Sequence, residues 1–338
     1  MFDDVALVSD QSPDSDNDGI PDALDACPRG SLPASGVLVS DLAASASVSV
    51  CNEGPARLTL DLPHVTNACE AGVLSARLSQ VNGRALASTP LPIQGGKLVF
   101  DAPLGQHELS FDFSDPRVGV LATFKQRLEV KSSSTEACCS SRQSLLRGTG
   151  ASDVLLSSGV ASVCALLGYG RDFLASSGHS DFISGGDDGD YLLAGAGDSV
   201  VDSGPGDDFV GGAVHGNLTV YTGAGNDFVD GSAADSLTVY AGAGAVTVVG
   251  SAGDDRVFVG PATALVLAGG GDDRVVLYSP CEAHSGLRLV GGAGNDTLLT
   301  PLPLDELALR GVVVSGFENV TLDSSQAYLS PCYAAEGP

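Results

Sequence analysis

Nine residues separate Asp172 from Asp181 and Asp181 from Asp190, and eighteen separate Asp190 from Asp208. This period constrains the chain more than any other feature. Five segments read Gly-x-Gly-x-Asp: 168–172, 204–208, 223–227, 269–273 and 292–296. Degenerate copies place Asp153, Asp181, Asp190 and Asp255 at the same position. Two residues after each aspartate stands an aliphatic side chain: Leu155, Leu174, Ile183, Leu192, Val210, Val229, Val257, Val275 and Leu298. A glycine turn followed by a short strand, with one apolar residue per nonapeptide facing inward, cannot bury that residue alone. Stacked copies can, and two nonapeptides per coil give a parallel β-solenoid with turns along two edges. The predicted fold class is all-β, a parallel β-roll preceded by an antiparallel β-sandwich.

Stacked turns bring their aspartates face to face along an edge. Such a ladder repels itself unless a cation turns the repulsion into coordination, and Ca²⁺ takes six to eight hard oxygens in flexible geometry. These segments resemble the Ca²⁺-binding nonapeptides of repeats-in-toxin (RTX) proteins. That resemblance implies a β-roll over nearly half the chain. It also implies metal ligation by Asp153, Asp172, Asp181, Asp190, Asp208, Asp227, Asp255, Asp273 and Asp296, completed by carbonyls of the turn glycines. Asp153, Asp172, Asp190, Asp208 and Asp227 fall on one edge. On the other edge there, Ser162, Ser199, Leu218 and Leu237 replace the aspartate, and Asp181 alone is kept. The step from Asp227 to Asp255 is 28 residues, an odd number of nonapeptides plus one residue. The roles therefore exchange near residue 235: Val246, Ala264 and Leu287 take the first edge, and Asp255, Asp273 and Asp296 the second. About four sites on the first ladder and about two on the second follow from this reading.

A separate acidic loop opens the chain. Asp14, Asp16, Asp18, Asp22 and Asp25 put side-chain oxygens at loop positions 1, 3, 5, 9 and 12, with Gly19 at the sharp turn and the Ile20 carbonyl at position 7. With Cys27-Pro28 following, the loop resembles a thrombospondin type 3 repeat. Residues 31–135 alternate in period two, as in Lys97-Leu-Val-Phe and His107-Glu-Leu-Ser-Phe-Asp-Phe, with Pro and Gly turns between the runs. Their order of cysteine, strand, Val65-Thr-Asn-Ala-Cys69 and Pro103-Leu-Gly-Gln-His-Glu-Leu-Ser-Phe-Asp-Phe resembles HYR-type immunoglobulin-like domains. That resemblance implies a Cys51–Cys69 bridge and a role in adhesion or spacing. The chain then divides into a calcium loop (1–30), a sandwich (31–135), a β-roll (136–300) and a C-terminal cap (301–338). In the cap, 303–310 suits a short helix, and 312–314 and 318–322 suit strands.

Charge narrows the partners. Lys and Arg total 16 against 42 Asp and Glu, a net charge of −26, which excludes the basic footprint of nucleic-acid binding. About seven Ca²⁺ would reduce that charge to roughly −12. No run approaches the roughly 18 apolar residues of a membrane span, and Met1–Asp10 holds three aspartates and no apolar stretch of a secretory signal. The eight cysteines include no CxxC pair and read as up to four disulfides in an oxidising compartment. Cys281 and Cys332 bracket the cap. One of the vicinal pair Cys138 and Cys139 is expected to pair with Cys164, which this reading places inward, and the other with Cys27; spacing alone does not fix connectivity.

No HExxH, GxSxG or GxxxxGK[ST] motif is present, and an aspartate saturated by Ca²⁺ is not free to move protons. The chain reads as a non-enzymatic, calcium-binding extracellular structural or adhesion protein. Its expected partners are Ca²⁺ and a cell-surface or extracellular-matrix polymer. The competing reading is a secreted polysaccharide-active enzyme, or its binding module, using a groove along the solenoid. An aromatic stacking platform would favour that alternative. Trp is absent, and Tyr221 and Tyr240 suggest a structural ladder instead.

Overall fold

A computed structural model describes residues 37–40, 45–50, 56–61, 64–67, 73–94, 97–115, 119–132, 138–159, 161–325 and 329. The acidic loop of residues 14–25 and Cys27, Cys51, Cys69 and Cys332 lie outside the described residues. The chain forms two compact units that divide near residue 130.

The first unit is built of antiparallel sheets. A five-stranded sheet runs in the order Ser45–Val50, Gly119–Ser132, Gly105–Asp115, Val73–Val81, Arg84–Leu91. A three-stranded sheet holds Ala56–Asp61, Lys97–Ala102 and Ile93–Gln94, and Val37–Ser40 pairs antiparallel with His64–Asn67. Period-two alternation places Leu78, Leu98, Leu109, Phe111 and Leu128 fully inside. The hairpin after Val81 turns on Asn82-Gly83, both at positive φ (48° and 82°), the conformation that matches the twist of the flanking strands.

The second unit is the parallel roll. The chain alternates between a ten-stranded and a nine-stranded sheet, and consecutive strands of each sheet lie one coil apart. Ile183 pairs in register with Val201, which pairs with Val220, and the column continues through Val239, Val257 and Val275 to Leu298. The facing column runs Leu174, Leu192, Val210, Val229, Val248, Val266, Leu289. Every one of these side chains is completely buried, so the repeated aliphatics are the core. Sequestering each contributes about 1.5–3 kcal/mol.

Two details differ from the nine-residue frame. Asp153 to Asp172 is a nineteen-residue coil, and its extra residue falls before Val163. Val163, not Ser162, therefore sits opposite Asp181, whose Oδ1 accepts its amide (2.8 Å). The same shift turns Ala165 inward and Cys164 outward, in the column of Phe182. There Cys139 covers it: Cys139 and Cys164 form a disulfide with Cα atoms 5.5 Å apart. Cys138 and Cys281 are disulfide-bonded as well.

The C-terminal coils carry an irregular insertion and a short helix, and the last strand, Asn319–Leu322, is exposed. A 3-10 turn, Pro280–Glu282, carries the fully buried Glu282, whose Oε2 accepts the amides of Tyr278 (2.5 Å) and Ser279 (3.2 Å). The helix Leu304–Leu309 buries Leu307, and Val313–Ser315 and Asn319–Leu322 end the two sheets. No helix among the described residues is long and apolar enough to cross a membrane.

Candidate metal centre

Many of the turn glycines that precede an aspartate are pressed against the turns of the adjacent coils, where no Cβ fits. A Cβ on Gly225 (φ 146°) would lie 1.7 Å from the Gly206 carbonyl oxygen. The aspartate then enters the next strand with its carboxylate turned back into the stack.

The carboxylates are linked by one recurring hydrogen bond. The Asp153 amide donates to Asp172 Oδ1 (2.7 Å), Asp172 to Asp190 (2.8 Å), Asp190 to Asp208 (2.8 Å) and Asp208 to Asp227 (3.1 Å). On the opposite edge, Leu237 donates to Asp255 Oδ1 (2.7 Å), Asp255 to Asp273 (2.8 Å) and Asp273 to Asp296 (2.9 Å). The first series leads into the nine-stranded sheet and the second into the ten-stranded sheet. Asp227 and Asp255 thus lie on different edges. Where the first ladder stops, Val246, Ala264, Leu287 and Val312 continue its column, and all but half-buried Ala264 are buried.

One oxygen of most rungs is left over. Oδ2 of Asp172, Asp190, Asp208, Asp227, Asp273 and Asp296 is buried without a hydrogen-bond partner, although these residues are at most 3% exposed. The remaining three aspartates differ. Asp153 Oδ2 accepts from the amide (2.6 Å) and hydroxyl (3.0 Å) of Thr149. Asp255 Oδ2 accepts the Ser251 amide (2.6 Å). Asp181 Oδ2 accepts the Gly195 amide (3.1 Å), and its own amide donates to Ser199 Oγ.

A buried carboxylate oxygen with no donor costs roughly 1–3 kcal/mol or more, so the ladder is built for something other than protein donors. Carbonyl oxygens converge on the same places. A Cβ on Gly185 would meet both Asp190 Oδ2 (2.6 Å) and the Ser203 carbonyl of the next coil (2.4 Å). One on Gly250 would meet Asp255 Oδ2 (2.5 Å) and the Ala268 carbonyl (1.7 Å). Among the described residues, no three His, Cys, Asp or Glu side chains converge. A cation there would draw on paired carboxylates, backbone carbonyls and water. That all-oxygen, irregular donor set fits Ca²⁺ and not Zn²⁺.

The electrostatics agree. Burial pushes the Asp208 and Asp273 carboxyls up to about 7, and those of Asp190 and Asp227 up to about 6. Asp172 and Asp255 are raised by the same cause. The Ser251 hydroxyl at Asp255, and backbone amides in every case, joined by the Ser203 and Thr222 hydroxyls at Asp208 and Asp227, oppose the rise but do not cancel it.

Sequence reasoning missed one acidic residue. Glu318 Oε2 accepts the Asp296 amide (2.8 Å), which puts it one rung beyond the last aspartate. The signal was present, because Val320 follows it by two residues and pairs with inward Leu298, as the aliphatic follows each aspartate.

The family model of the RTX calcium-binding nonapeptide repeat (4 copies) matches residues 168–192, 184–213, 219–235, 238–261 and 288–299. Comparison with curated proteins and with solved structures yields no match. The matched stretches contain Asp172, Asp181, Asp190, Asp208, Asp227, Asp255 and Asp296, so the chain carries calcium-binding RTX repeats wound into a parallel β-roll.

Proposed function

We propose that this protein is a calcium-stabilised extracellular structural or adhesion-type module, with the metal held in the two aspartate ladders. The observation that carries the reading is the set of six buried carboxylate oxygens, in register and without a partner at ordinary hydrogen-bond geometry, only Asp208 and Asp227 having a hydroxyl, of Ser203 and Thr222, near by. When bound, Ca²⁺ supplies positive charge and coordination to those oxygens. The chain does the rest: glycine turns let carbonyls of adjacent coils approach, the amide ladder orients each carboxylate, and the aliphatic columns keep the coils in register. Four of the oxygens lie on the first ladder and two on the second. The acidic loop of Asp14, Asp16, Asp18, Ile20, Asp22 and Asp25 is read as one further site, by its resemblance to thrombospondin type 3 repeats. Residues 31–135 are read as an HYR-like spacer.

The Cys139–Cys164 disulfide supports an oxidising, extracellular setting. The aromatic residues argue against the polysaccharide alternative. Phe173, Tyr191, Phe209 and Phe228 stack face to face with centroids 5.4, 4.3 and 5.7 Å apart. Tyr221, Tyr240, Phe258 and Tyr278 do the same at 4.7, 4.6 and 5.5 Å. Rings stacked on one another present edges, not the faces on which a sugar would lie.

Calcium titration with disulfides intact, followed by far-UV circular dichroism and hydrodynamic radius, tests the reading. Cooperative gain of β-signal and compaction at about 10⁻⁴–10⁻³ M Ca²⁺ is the expected result. A protein equally compact and ordered in chelator, with no calcium bound, refutes it.

A further inference from the structure

The geometry points to one more metal site, at the last step of the second ladder, in which Glu318 stands where the repeat has aspartate. The inference rests on the calcium reading above and adds a residue and a site that the repeat pattern does not contain, since the matched stretches end at residue 299.

Three observations place it. Asp296 is fully buried and its Oδ2 has no partner. That oxygen is 2.6 Å from where a Cβ on Gly291 would lie, and the Gly316 carbonyl oxygen is 1.8 Å from the same point. The two oxygens are thus at most about 4.4 Å apart, in the arrangement found for the unpartnered Asp190 Oδ2 at Gly185. Finally, the Glu318 carboxylate closes the step by accepting the Asp296 amide through Oε2, the bond made by Oδ1 in every other rung.

Gly291 and Gly316 occupy equivalent places, each following a paired strand residue, Val290 and Ser315. The first turn takes five residues to reach Asp296, and the second takes two to reach Glu318. The register survives the shorter turn: Asn319 pairs with Thr297, so Glu318 enters its strand at the position of Asp296. The contrast with the end of the first ladder is instructive. The step beyond Asp227 faces Val246, which leaves one carboxylate there, whereas the step beyond Asp296 has two. Glu318 is exposed, and its shortened turn supplies fewer carbonyls, so water completes this site and its ion exchanges fastest.

The test is the number of ions bound by the full chain, measured by equilibrium dialysis against ⁴⁵Ca²⁺. Glu318→Gln keeps a hydrogen-bond acceptor for the Asp296 amide and removes the charge. Asp305→Asn, on the exposed start of the cap helix, removes the same charge elsewhere. The expected result is one ion fewer for Glu318→Gln and no change for Asp305→Asn, with the circular dichroism of both unchanged in saturating Ca²⁺. Equal uptake by Glu318→Gln and the unaltered protein overturns this inference alone. No uptake by the unaltered protein overturns the calcium reading, and this inference with it. If Glu318→Gln fails to fold, anomalous diffraction from crystals of the unaltered protein grown in Ca²⁺ decides. An ion at about 2.3–2.6 Å from a Glu318 oxygen supports the site, and none there overturns it.

Discussion

At the residue scale, the ladder aspartates hold two incompatible states in balance. Without metal, burial favours the protonated form of Asp172, Asp190, Asp208, Asp227, Asp255 and Asp273; with metal, they must be ionised. The folded carboxyls of Asp190, Asp208, Asp227 and Asp273 titrate near 6–7, above the ordinary aspartate value of 3.8. Between those values the folded state binds more protons than the unfolded chain, so stability falls as pH rises. In chelator, the ordered fraction of the roll should therefore be largest near pH 4, fall up to about pH 7, and level off above it. In saturating Ca²⁺ the trend should reverse, because protons compete with the ion. Melting curves at pH 5 and 8, with and without Ca²⁺, check both signs. Asp208→Asn touches the steps on either side and should cost about two ions. In chelator at pH 8 the same variant should be no less stable than the unaltered protein, since it removes a buried charge. Exposed Asp207, whose Oδ1 accepts the Asn226 amide, is the control: Asp207→Asn should leave calcium uptake unchanged.

At the element scale, the roll depends on columns and on space. Leu192→Ala removes a fully buried side chain between Leu174 and Val210 and should destabilise by about 2–5 kcal/mol. Gly225→Ala would drive a methyl into the Gly206 backbone at a positive φ, and should destabilise by more than the roughly 1 kcal/mol that a glycine replacement gains at a compatible φ. Gly286→Ala, also at positive φ (100°) but in open space, separates strain from collision; denaturant midpoints give the comparison. The repeat made much of this legible. A period-nine aspartate with an aliphatic two residues later fixed the inward columns and the exchange of edges, because those follow from counting along the chain. What counting could not supply was the place of an insertion within a coil. One residue before Val163 was enough to turn Cys164 from inside to outside. Nor could it see which aspartate oxygens lack a partner, since that depends on whether a nearby Thr149, Ser251 or Gly195 donates across the turn. Glu318 escaped because its turn is short, although its spacing to Val320 carries the pattern.

At the scale of the whole molecule, two carboxylate ladders lie on opposite edges of successive stretches of one roll. Removing calcium should loosen both stretches, while the Cys139–Cys164 bond still ties the first coil to the segment before it. Reducing that bond in saturating Ca²⁺ should lower the melting temperature without changing the number of ions bound, because no ladder residue takes part in it. The aromatic columns carry an optical consequence. The chain has no tryptophan, so tyrosine emission is not drained by energy transfer to indole. Tyr221 and Tyr240 sit on neighbouring coils with near-parallel rings, 4.7 Å apart, close enough for an excited ring to pass its energy to its neighbour. Their fluorescence decay is then a native gauge of whether adjacent coils are in contact, readable without any label.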